Sequence, residues 1–272
     1  MSQNRFPNVV LLTLLLLSAV SFELVNSGRS AASEATNEAA QRLPVLVELF
    51  TSEGCSSCPP ADVLLGRLDR FQPVPAAELI VLSEHVDYWD DIGWKDPFSS
   101  HQFTLRQSDY ARRFWLDGPY TPQMIVDGDA QLVGSDEKEA LRAIENAAKM
   151  TKIPVTLSAP RLQGDKSLVL HVAFGPVASS LGYKSSQLLF AVADDSDQSS
   201  VSRGENAGRT LKHVAVVRTL TRVGTIDNSG AFSKDVTVST GDANVPHLRV
   251  VAFLQEDASG HVLGSGSTRL SN

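Results

Sequence analysis

Two cysteines are the residues of this chain whose type and spacing could do redox chemistry. Cys55 and Cys58 are the only cysteines among 272 residues, and the stretch EGCSSCPP holds both of them. In such a dithiol, one thiolate attacks a disulfide and the second thiol resolves the mixed disulfide. The same pair could instead be half of a metal site or a small structural disulfide. Closing so short a loop removes little entropy from the unfolded chain, which argues against a purely structural role.

The elements predicted around the cysteines favour the redox interpretation. An apolar run at Leu43–Thr51 predicts a buried strand before them, and apolar residues at helical spacing predict a helix that has Pro59 in its first turn. The start of a helix presents the positive end of its dipole to the preceding loop, which stabilises a thiolate there. We therefore expect Cys55 to be the nucleophile and Cys58 to be the resolving thiol.

Strand and helix signals alternate over the first half of the chain. The predicted order is strand, helix, strand, helix, strand, strand, helix, with a hairpin turn at residues 127–128 and a last helix capped by Ser135. From residue 152 onward, about seven short strands follow without a helix, which is typical of an antiparallel β-sandwich. We predict an α/β domain at residues 43–151 and an all-β, sandwich-like domain at residues 152–272.

The N-terminal residues predict export. An apolar run at residues 9–22 follows Arg5, and its length fits the hydrophobic region of a secretory signal peptide. We expect a signal peptide at residues 1–32 and a flexible lead-in at residues 33–42, with an uncleaved N-terminal anchor as the alternative. No later segment is apolar enough to span a membrane, so we expect a periplasmic or secreted protein without a membrane span after signal removal. The net charge of −7, without a block of basic residues, argues against a nucleic-acid partner.

Four stretches of the chain carry a resemblance to a known family. LFTSEGCSSCPPAD, HVDYWDDIGWKDPF, TPQMIVDG and RGENAGRTLKHVAVVR together resemble a secreted bacterial thioredoxin-like family, the domain of unknown function 1223. The similarity extends from Val45 to about Val262. It implies that the α/β domain at residues 43–151 has a thioredoxin-like fold and that the β-rich half belongs to the family as well. It names no substrate.

The resemblance also implies site residues. Cys55, Cys58 and Pro122 match catalytic positions of thioredoxin-like proteins, in which a cis-proline faces the cysteines. Thr121 precedes this proline and is an expected substrate contact. Glu48 lies in the strand below the cysteines, near the position of a buried acid that assists proton transfer to the resolving thiol. A glutamate that is hydrogen-bonded within the core is the alternative, since a buried acid must be satisfied or protonated.

A polar and aromatic loop follows the second predicted strand, in the sequence SEHVDYWDDIGWKDPF. Strand ends in α/β proteins carry sites, so we expect His85 near the thiols and Trp89 and Trp94 in an apolar lip that docks a substrate. A protonated histidine near Cys55 would favour the thiolate. The alternative is an ordered loop that packs its aromatic rings over the sheet edge, with its acids facing water. This alternative is favoured for three of the acids, Asp90, Asp91 and Asp96.

The stretch RGENAGRTLKHVAVVR lies in the β-rich half. Its glycines and asparagine predict a shaped turn that leads into a strand. Its charged residues could reach the cysteines and help to hold a substrate, or the turn could serve as a structural or domain-contact element. The second interpretation is favoured.

No cofactor or resident metal is expected. Beside the cysteine pair, the six histidines are scattered and offer no second ligand pair for a structural zinc. Cys55, Cys58 and His85 could hold Cu(I), which prefers thiolate ligands. A Cu(I)-handling carrier is therefore one alternative function.

The leading hypothesis is that this is an exported thiol–disulfide oxidoreductase-like protein, and therefore an enzyme. It would act through Cys55 on protein thiols or disulfides in the cell envelope, together with a redox partner that the sequence does not identify. A second alternative, beside the copper carrier, is a non-catalytic binding protein whose cysteine pair stays oxidised.

Overall fold

The computed structural model describes Met1 and residues 42–176, 185–227 and 231–270. Arg42–Asn272 forms one compact unit. The predicted signal peptide and lead-in lie outside the described residues, apart from Met1 and Arg42. Within the described part of the chain, no helix has both the length and the apolar character needed to cross a membrane.

The first half consists of strands and helices in alternation. In chain order they are β1 at Leu43–Thr51, α1 at Pro59–Phe71, β2 at Ala77–His85, α2 at His101–Arg113, β3 at Gln123–Val126, β4 at Ala130–Val133 and α3 at Glu137–Ala147.

Local sequence signals explain where these helices begin. Prolines fill the first turn of α1, where backbone N–H groups lack partners within the helix. Ser100 caps α2, and its hydroxyl accepts a hydrogen bond from the Gln102 backbone N–H. Asp136 caps α3 by accepting from the Glu139 N–H, at 3.0 Å, so the predicted cap at Ser135 is one residue too early.

Strands dominate the second half. They are β5 at Val155–Leu157, β6 at Arg161–Leu162, β7 at Ser167–Phe174, β8 at Ser185–Ser200, β9 at Thr210–Asp227, β10 at Phe232–Ser239, β11 at Leu248–Glu256 and β12 at Val262–Arg269, with a 3-10 turn at Val245–His247.

One mixed sheet of eight strands joins the two halves, in the order β12-β11-β8-β9-β2-β1-β3-β4. β9 pairs in parallel with β2 at Ser83 and Val216, and this pairing connects the strands of the second half to those of the first. The predicted fold class, a thioredoxin-like α/β domain followed by a separate all-β, sandwich-like domain, is therefore wrong. The boundary predicted after residue 151 falls inside one compact unit.

A shared hydrophobic core is the physical reason that the halves do not separate. Apolar side chains of β1, β2 and β3 pack in one cluster with those of α2, β8, β9, β11 and β12. The cluster includes Leu46, Phe50, Leu82, Phe103, Tyr110, Ala191, Val217, Val251 and Phe253. Each large side chain buried in this way stabilises the fold by roughly 1.5–3 kcal/mol, so exposing the cluster by separating the halves is unfavourable.

The large sheet also curls back on itself. The residue that begins β12, Val262, donates its backbone N–H to the Asp127 carbonyl in the β3–β4 hairpin, at 2.7 Å. Lys152 Nζ lies 2.8 Å from Asp127 Oδ2 and also donates to the Val262 carbonyl. These bonds join β12, at one edge of the large sheet, to the hairpin that forms the other edge.

Two different layers cover the other face of the sheet. Helix α1 packs on β1 and β2 and helix α3 packs on β3 and β4. Val47 and Leu49 of β1 share one hydrophobic cluster with Leu64 of α1. A small sheet in the order β10-β7-β5, with β6 beside β7, packs on β8 and β11 through side chains such as Val172 and Phe190. Cys55 and Cys58 lie in the short connection between the end of β1, at Thr51, and the start of α1.

Candidate functional site

Cys55 and Cys58 form a disulfide at the start of α1, with their Cα atoms 5.4 Å apart. Cys58 is the N-cap residue of the helix, and its carbonyl accepts the backbone N–H groups of Ala61 and Asp62. Both cysteines are fully buried, whereas Ser56 and the residue after it are exposed. The pair is therefore in its oxidised form, directly below the surface.

The Thr121-Pro122 peptide bond is cis and lies beside the disulfide. The Thr121 carbonyl oxygen is 3.9 Å from Cys55 Sγ and 3.5 Å from the Ser57 hydroxyl. Ser57 Oγ is 3.3 Å from Cys55 Sγ and is the donor of that contact, because a disulfide sulfur carries no proton. The structure thus brings Thr121 and Pro122 next to the cysteine expected to be the nucleophile.

Trp89 packs against both Thr121 and the segment that holds Cys55. Its Nε1 donates to Thr121 Oγ1 at 2.9 Å. A Cβ atom added to Gly54 would lie 2.9 Å from the Trp89 Cβ and 3.3 Å from its carbonyl oxygen, so the glycine before Cys55 allows the close approach of the chain at Trp89. Trp89 is half-buried and forms one wall of the site.

A buried carboxylate, Glu53, lies immediately before residues 54–58, which we call the cysteine loop, and it was not among the residues predicted from the sequence. Trp94 Nε1 donates to Glu53 Oε2 at 2.8 Å, and the Ser199 hydroxyl donates to Oε1. His213 Nε2 is 3.1 Å from Oε1. Trp94 therefore bonds to this internal acid, although it was expected to line a docking lip. The acid is fully buried because strands β8 and β9 cover it.

His213, on β9, lies between two acids. Its Nε2 faces Glu53, and its Nδ1 is 3.6 Å from Asp62 Oδ1 of α1. Burial lowers the pKa of His213, but its interactions with the two acids, Asp62 and Glu53, outweigh burial and raise it to about 10. At neutral pH the site therefore holds a buried imidazolium between two carboxylates.

His85 belongs to the same buried cluster. Its Nδ1 is 2.7 Å from Asp96 Oδ2, and its ring lies 4.7 Å from the His213 ring in an edge-to-face arrangement. The same Asp96 oxygen accepts the Glu53 backbone N–H at 2.8 Å. Burial raises the pKa of Asp96, but the charge and hydrogen bond of His85 outweigh it and hold the pKa below its ordinary value. Asp96 is 1% exposed, so the expectation that it faces water is wrong.

The loop of residues 201–209 holds the cysteine loop from the second half of the chain. Asn206 Nδ2 donates to the carbonyls of Glu53, at 2.8 Å, and Cys55, at 2.9 Å. Glu205 Oε2 accepts the Ser56 backbone N–H at 3.0 Å. Gly204 has φ +75° and lies against Trp94, where an added Cβ would lie 3.1 Å from the Trp94 Cβ. We call Glu205 and Asn206 the clamp.

Glu48 lies away from the disulfide. Neighbouring positions of β1 alternate between faces, so Val47 and Leu49 pack against α1 while Glu48 faces α2. Arg106 Nε and the Tyr110 hydroxyl each donate to Glu48 at 2.6 Å. The structure therefore does not bring Glu48 to the cysteines, and these contacts satisfy it within the core.

Sequence signals for the missed residues exist, but they are short. In β9, Leu211, His213 and Ala215 are buried while Lys212 is exposed, so alternation places His213 on the inner side. Asp62 follows Cys58 by one helical turn and therefore shares its face of α1. A search for polar residues on these two buried faces would have found both.

The described residues contain no group of three or more histidine, cysteine, aspartate or glutamate side chains that could hold a metal ion. The described partners of His85 are the side chains of Asp96, Phe98 and His213. The Cu(I) alternative stays a prediction.

Comparison with known proteins places the chain in a family. A family model described as a protein of unknown function, DUF1223, matches residues 46–255. The chain belongs to this family. The region shared with DUF1223 includes the cysteine loop, His213 and the clamp. No curated protein matches the chain.

Two solved structures resemble this DUF1223 protein. A protein from Agrobacterium tumefaciens, solved by X-ray crystallography, is 27% identical with a TM-score of 0.63, and the match covers 85% of this chain and 96% of that one. HBP35 of Porphyromonas gingivalis is 14% identical with a TM-score of 0.57, covering 84% of this chain and 76% of that one. The second likeness shows the fold alone.

Proposed function

We propose that this protein is an exported thiol–disulfide oxidoreductase that acts on protein thiols or disulfides in the cell envelope, in the periplasm or outside the cell. The observation that carries the proposal is the Cys55–Cys58 disulfide at the start of α1, with the Thr121 carbonyl 3.9 Å from Cys55 Sγ. Export is inferred from the N-terminal sequence. A reaction would pass through a mixed disulfide between Cys55 and the substrate.

The start of α1 supports Cys55 as the nucleophile through its dipole. The backbone N–H groups of Cys58, Ala61 and Asp62 already donate to carbonyls in the loop, and the two prolines have none to offer. The partial positive charge at the helix start remains, and it lowers the free energy of a thiolate relative to a thiol.

A groove beside the disulfide supports a polypeptide substrate. It has a volume of about 620 Å³, and its lining includes Ser56, Pro59, Val63 and Arg209. Val63 is 62% exposed, so the groove offers apolar surface next to the cysteine loop. An extended segment of a substrate protein could lie there with its sulfur directed at Cys55.

A Cys58→Ser variant tests the proposal, because it cannot resolve a mixed disulfide. Expressed in its native cell envelope, it should retain partner proteins that run as adducts on a non-reducing gel and disappear on reduction. A Cys55→Ser variant, which keeps one thiol but lacks the nucleophile, is the matched control and should retain far fewer. The purified reduced protein should also reduce an aryl disulfide faster than free dithiothreitol does. Absence of adducts together with exchange no faster than the free dithiol would overturn the proposal.

One observation favours a second candidate function. Cys55 and Cys58 are both fully buried, as expected for a pair that stays oxidised as a local brace in a non-catalytic binding protein. Such a pair would have a very low reduction potential and would react slowly with small reductants. Measuring the potential in glutathione buffers and the rate of reduction by dithiothreitol distinguishes the two candidates.

A further inference from the structure

A buried chain of three side chains connects β9 to the face of α1 that carries Cys58. His213 lies between Glu53, 3.1 Å from its Nε2, and Asp62, 3.6 Å from its Nδ1. We propose that Asp62 accepts the proton of the Cys58 thiol when that thiol resolves a mixed disulfide, and that His213 is the residue that positions Asp62 for this step. The inference rests on the proposed oxidoreductase function and names the base within that site.

The helix sets the distance between Cys58 and Asp62. Cys58 has helical dihedral angles, φ −77° and ψ −37°, and its carbonyl accepts the Asp62 N–H at 3.2 Å. Residues four positions apart on a helix have Cβ atoms about 5–6 Å apart and point to the same side. Cys58 is fully buried and Asp62 is 7% exposed, so both side chains lie beneath the surface. Asp62 is therefore placed as the acid one turn along from the resolving cysteine.

Asp62 has a buried oxygen that accepts no hydrogen bond, and this suits a residue that accepts a proton. Among the described residues, Asp62 Oδ1 and His213 Nδ1 are buried atoms without a hydrogen-bond partner, and they face each other at 3.6 Å. A carboxylate that served the fold alone would be expected to use its buried oxygen in a hydrogen bond. The separation leaves an oxygen lone pair available while the imidazolium offsets the cost of burying the carboxylate.

Charges from several elements keep His213 in its protonated form. Glu53, from the loop after β1, and Asp62, from α1, contact its two ring nitrogens. Asp197, from β8, contributes a further negative charge, and the neighbouring His85 is paired with Asp96. Because His213 and Asp197 belong to the second half of the chain, the site is incomplete without that half.

The resolving step transfers one proton and replaces one disulfide bond with another. In the mixed disulfide, Cys55 Sγ is bonded to a substrate sulfur and Cys58 is a thiol. The Cys58 proton moves to an oxygen of Asp62, the Cys58 thiolate attacks Cys55 Sγ, and the Cys55–Cys58 bond forms as the bond to the substrate sulfur breaks. The substrate leaves as a thiolate, so the enzyme dithiol is oxidised by two electrons and the substrate disulfide is reduced. Asp62 then returns the proton to water or to the departing thiolate.

Stopped-flow reaction of the reduced protein with dithiobis(nitrobenzoate) separates the two steps. Attack by Cys55 releases one coloured thiolate, and resolution by Cys58 releases the second. Asp62→Asn should slow the second phase by at least about tenfold and leave the first phase unchanged. Asp62→Glu, which keeps the carboxylate, should restore part of the second phase. His213→Gln should slow the second phase and change its dependence on pH.

Matched controls separate this role from stability. His171→Gln removes an exposed histidine that is also paired with an aspartate, Asp235, and should leave both phases unchanged. If both wild-type phases are no faster than those of free dithiothreitol, the proposed function fails. If the first phase is fast and the second is unaffected in folded Asp62→Asn and His213→Gln proteins, the function stands and this inference is wrong. If His213 served the fold alone, His213→Gln would lower the free energy of unfolding without altering the pH profile of the second phase.

Discussion

His213 Nε2 lies 3.1 Å from Glu53 Oε1, although 160 residues separate the two in the chain. Both side chains are buried, so this contact exists only when β9 has reached the loop after β1. The charge of the cysteine site is consequently set by both halves of the molecule. Properties of the dithiol should therefore respond to substitutions far from it in sequence.

The stability of the protein should depend on pH through His213. Its pKa is raised in the folded protein from 6.5 to about 10, so its contribution is complete below pH 6.5 and is lost as the pH rises through 10. The free energy of unfolding of the wild type should exceed that of His213→Gln by up to about 4 kcal/mol near neutral pH, and the difference should vanish above the raised pKa. Urea denaturation across this range measures it. A difference that grows with pH would contradict the assignment.

Removing the indole donor to Glu53 should destabilise the fold. Trp94→Phe keeps an aromatic ring but leaves Glu53 Oε2 without the hydrogen bond it now accepts. We expect a loss of roughly 1–3 kcal/mol in the free energy of unfolding, measured in urea. Trp115→Phe is the matched control, because Trp115 is 93% exposed, and should change stability little. Equal effects of the two substitutions would show that Trp94 contributes no special contact.

The buried half of the clamp should protect the disulfide. Asn206→Ala removes the two hydrogen bonds to the carbonyls of Glu53 and Cys55. Because the cysteine loop can then move more easily, we expect reduction by dithiothreitol to become up to about tenfold faster. Asn146→Ala, at an exposed position of α3, is the control and should behave as the wild type. An unchanged rate in folded Asn206→Ala would mean that the clamp does not limit access to the sulfurs.

The exposed half of the clamp should influence the redox equilibrium. Glu205 places a carboxylate on the Ser56 backbone N–H, and this negative charge disfavours a thiolate at the neighbouring Cys55. Glu205→Gln should therefore favour the reduced form and raise the reduction potential. The change in the equilibrium constant with glutathione should be less than about fivefold and should shrink at high salt, since solvent screens an exposed charge. Glu145→Gln, on exposed α3 surface, supplies the baseline, and a lower potential in Glu205→Gln would refute this electrostatic role.

The first half of the chain should not fold without the second. A fragment of residues 43–151 lacks β8, β9, β11 and β12, so it would expose the shared core that includes Phe50 and Leu82. We expect no cooperative thermal transition for the fragment and a single one for residues 42–272, followed by circular dichroism. Two separate transitions in the longer protein would contradict a common core.

Local elements were predictable from the sequence because their signals are local. Apolar periodicity and the proline in its first turn identify α1, and the hairpin turn between β3 and β4 carries its own glycine. The pairing of Ser83 with Val216 has no comparable signal, since it depends on which distant strand covers the free edge of β2. A run of strands after residue 152 therefore indicates a separate sandwich, although in the folded protein four of them extend the first sheet.

The candidate site was also predictable from the sequence only in part. The cysteine pair and the Thr121-Pro122 bond are marked by residue type and by resemblance to a family, and the structure places them together. Glu53 is missed because an acid in a loop is ordinarily expected to face water, and here β8 and β9 bury it. Asn206 is a turn residue by type, and nothing in its neighbours indicates the carbonyls that it bonds.

The clamp has a consequence for the order of events during folding. Asn206 lies 151 residues after Cys55, and Glu205 lies 149 residues after Ser56, so neither contact can form until a long loop has closed. Contacts of such high sequence separation form slowly compared with local helices and turns. Until that loop has closed, Cys55 and Cys58 lack the imidazole of His213 and the cover of the clamp, so they are more open to oxidants and to pairing with another chain. We therefore expect the protection of the cysteine pair to be completed late in folding.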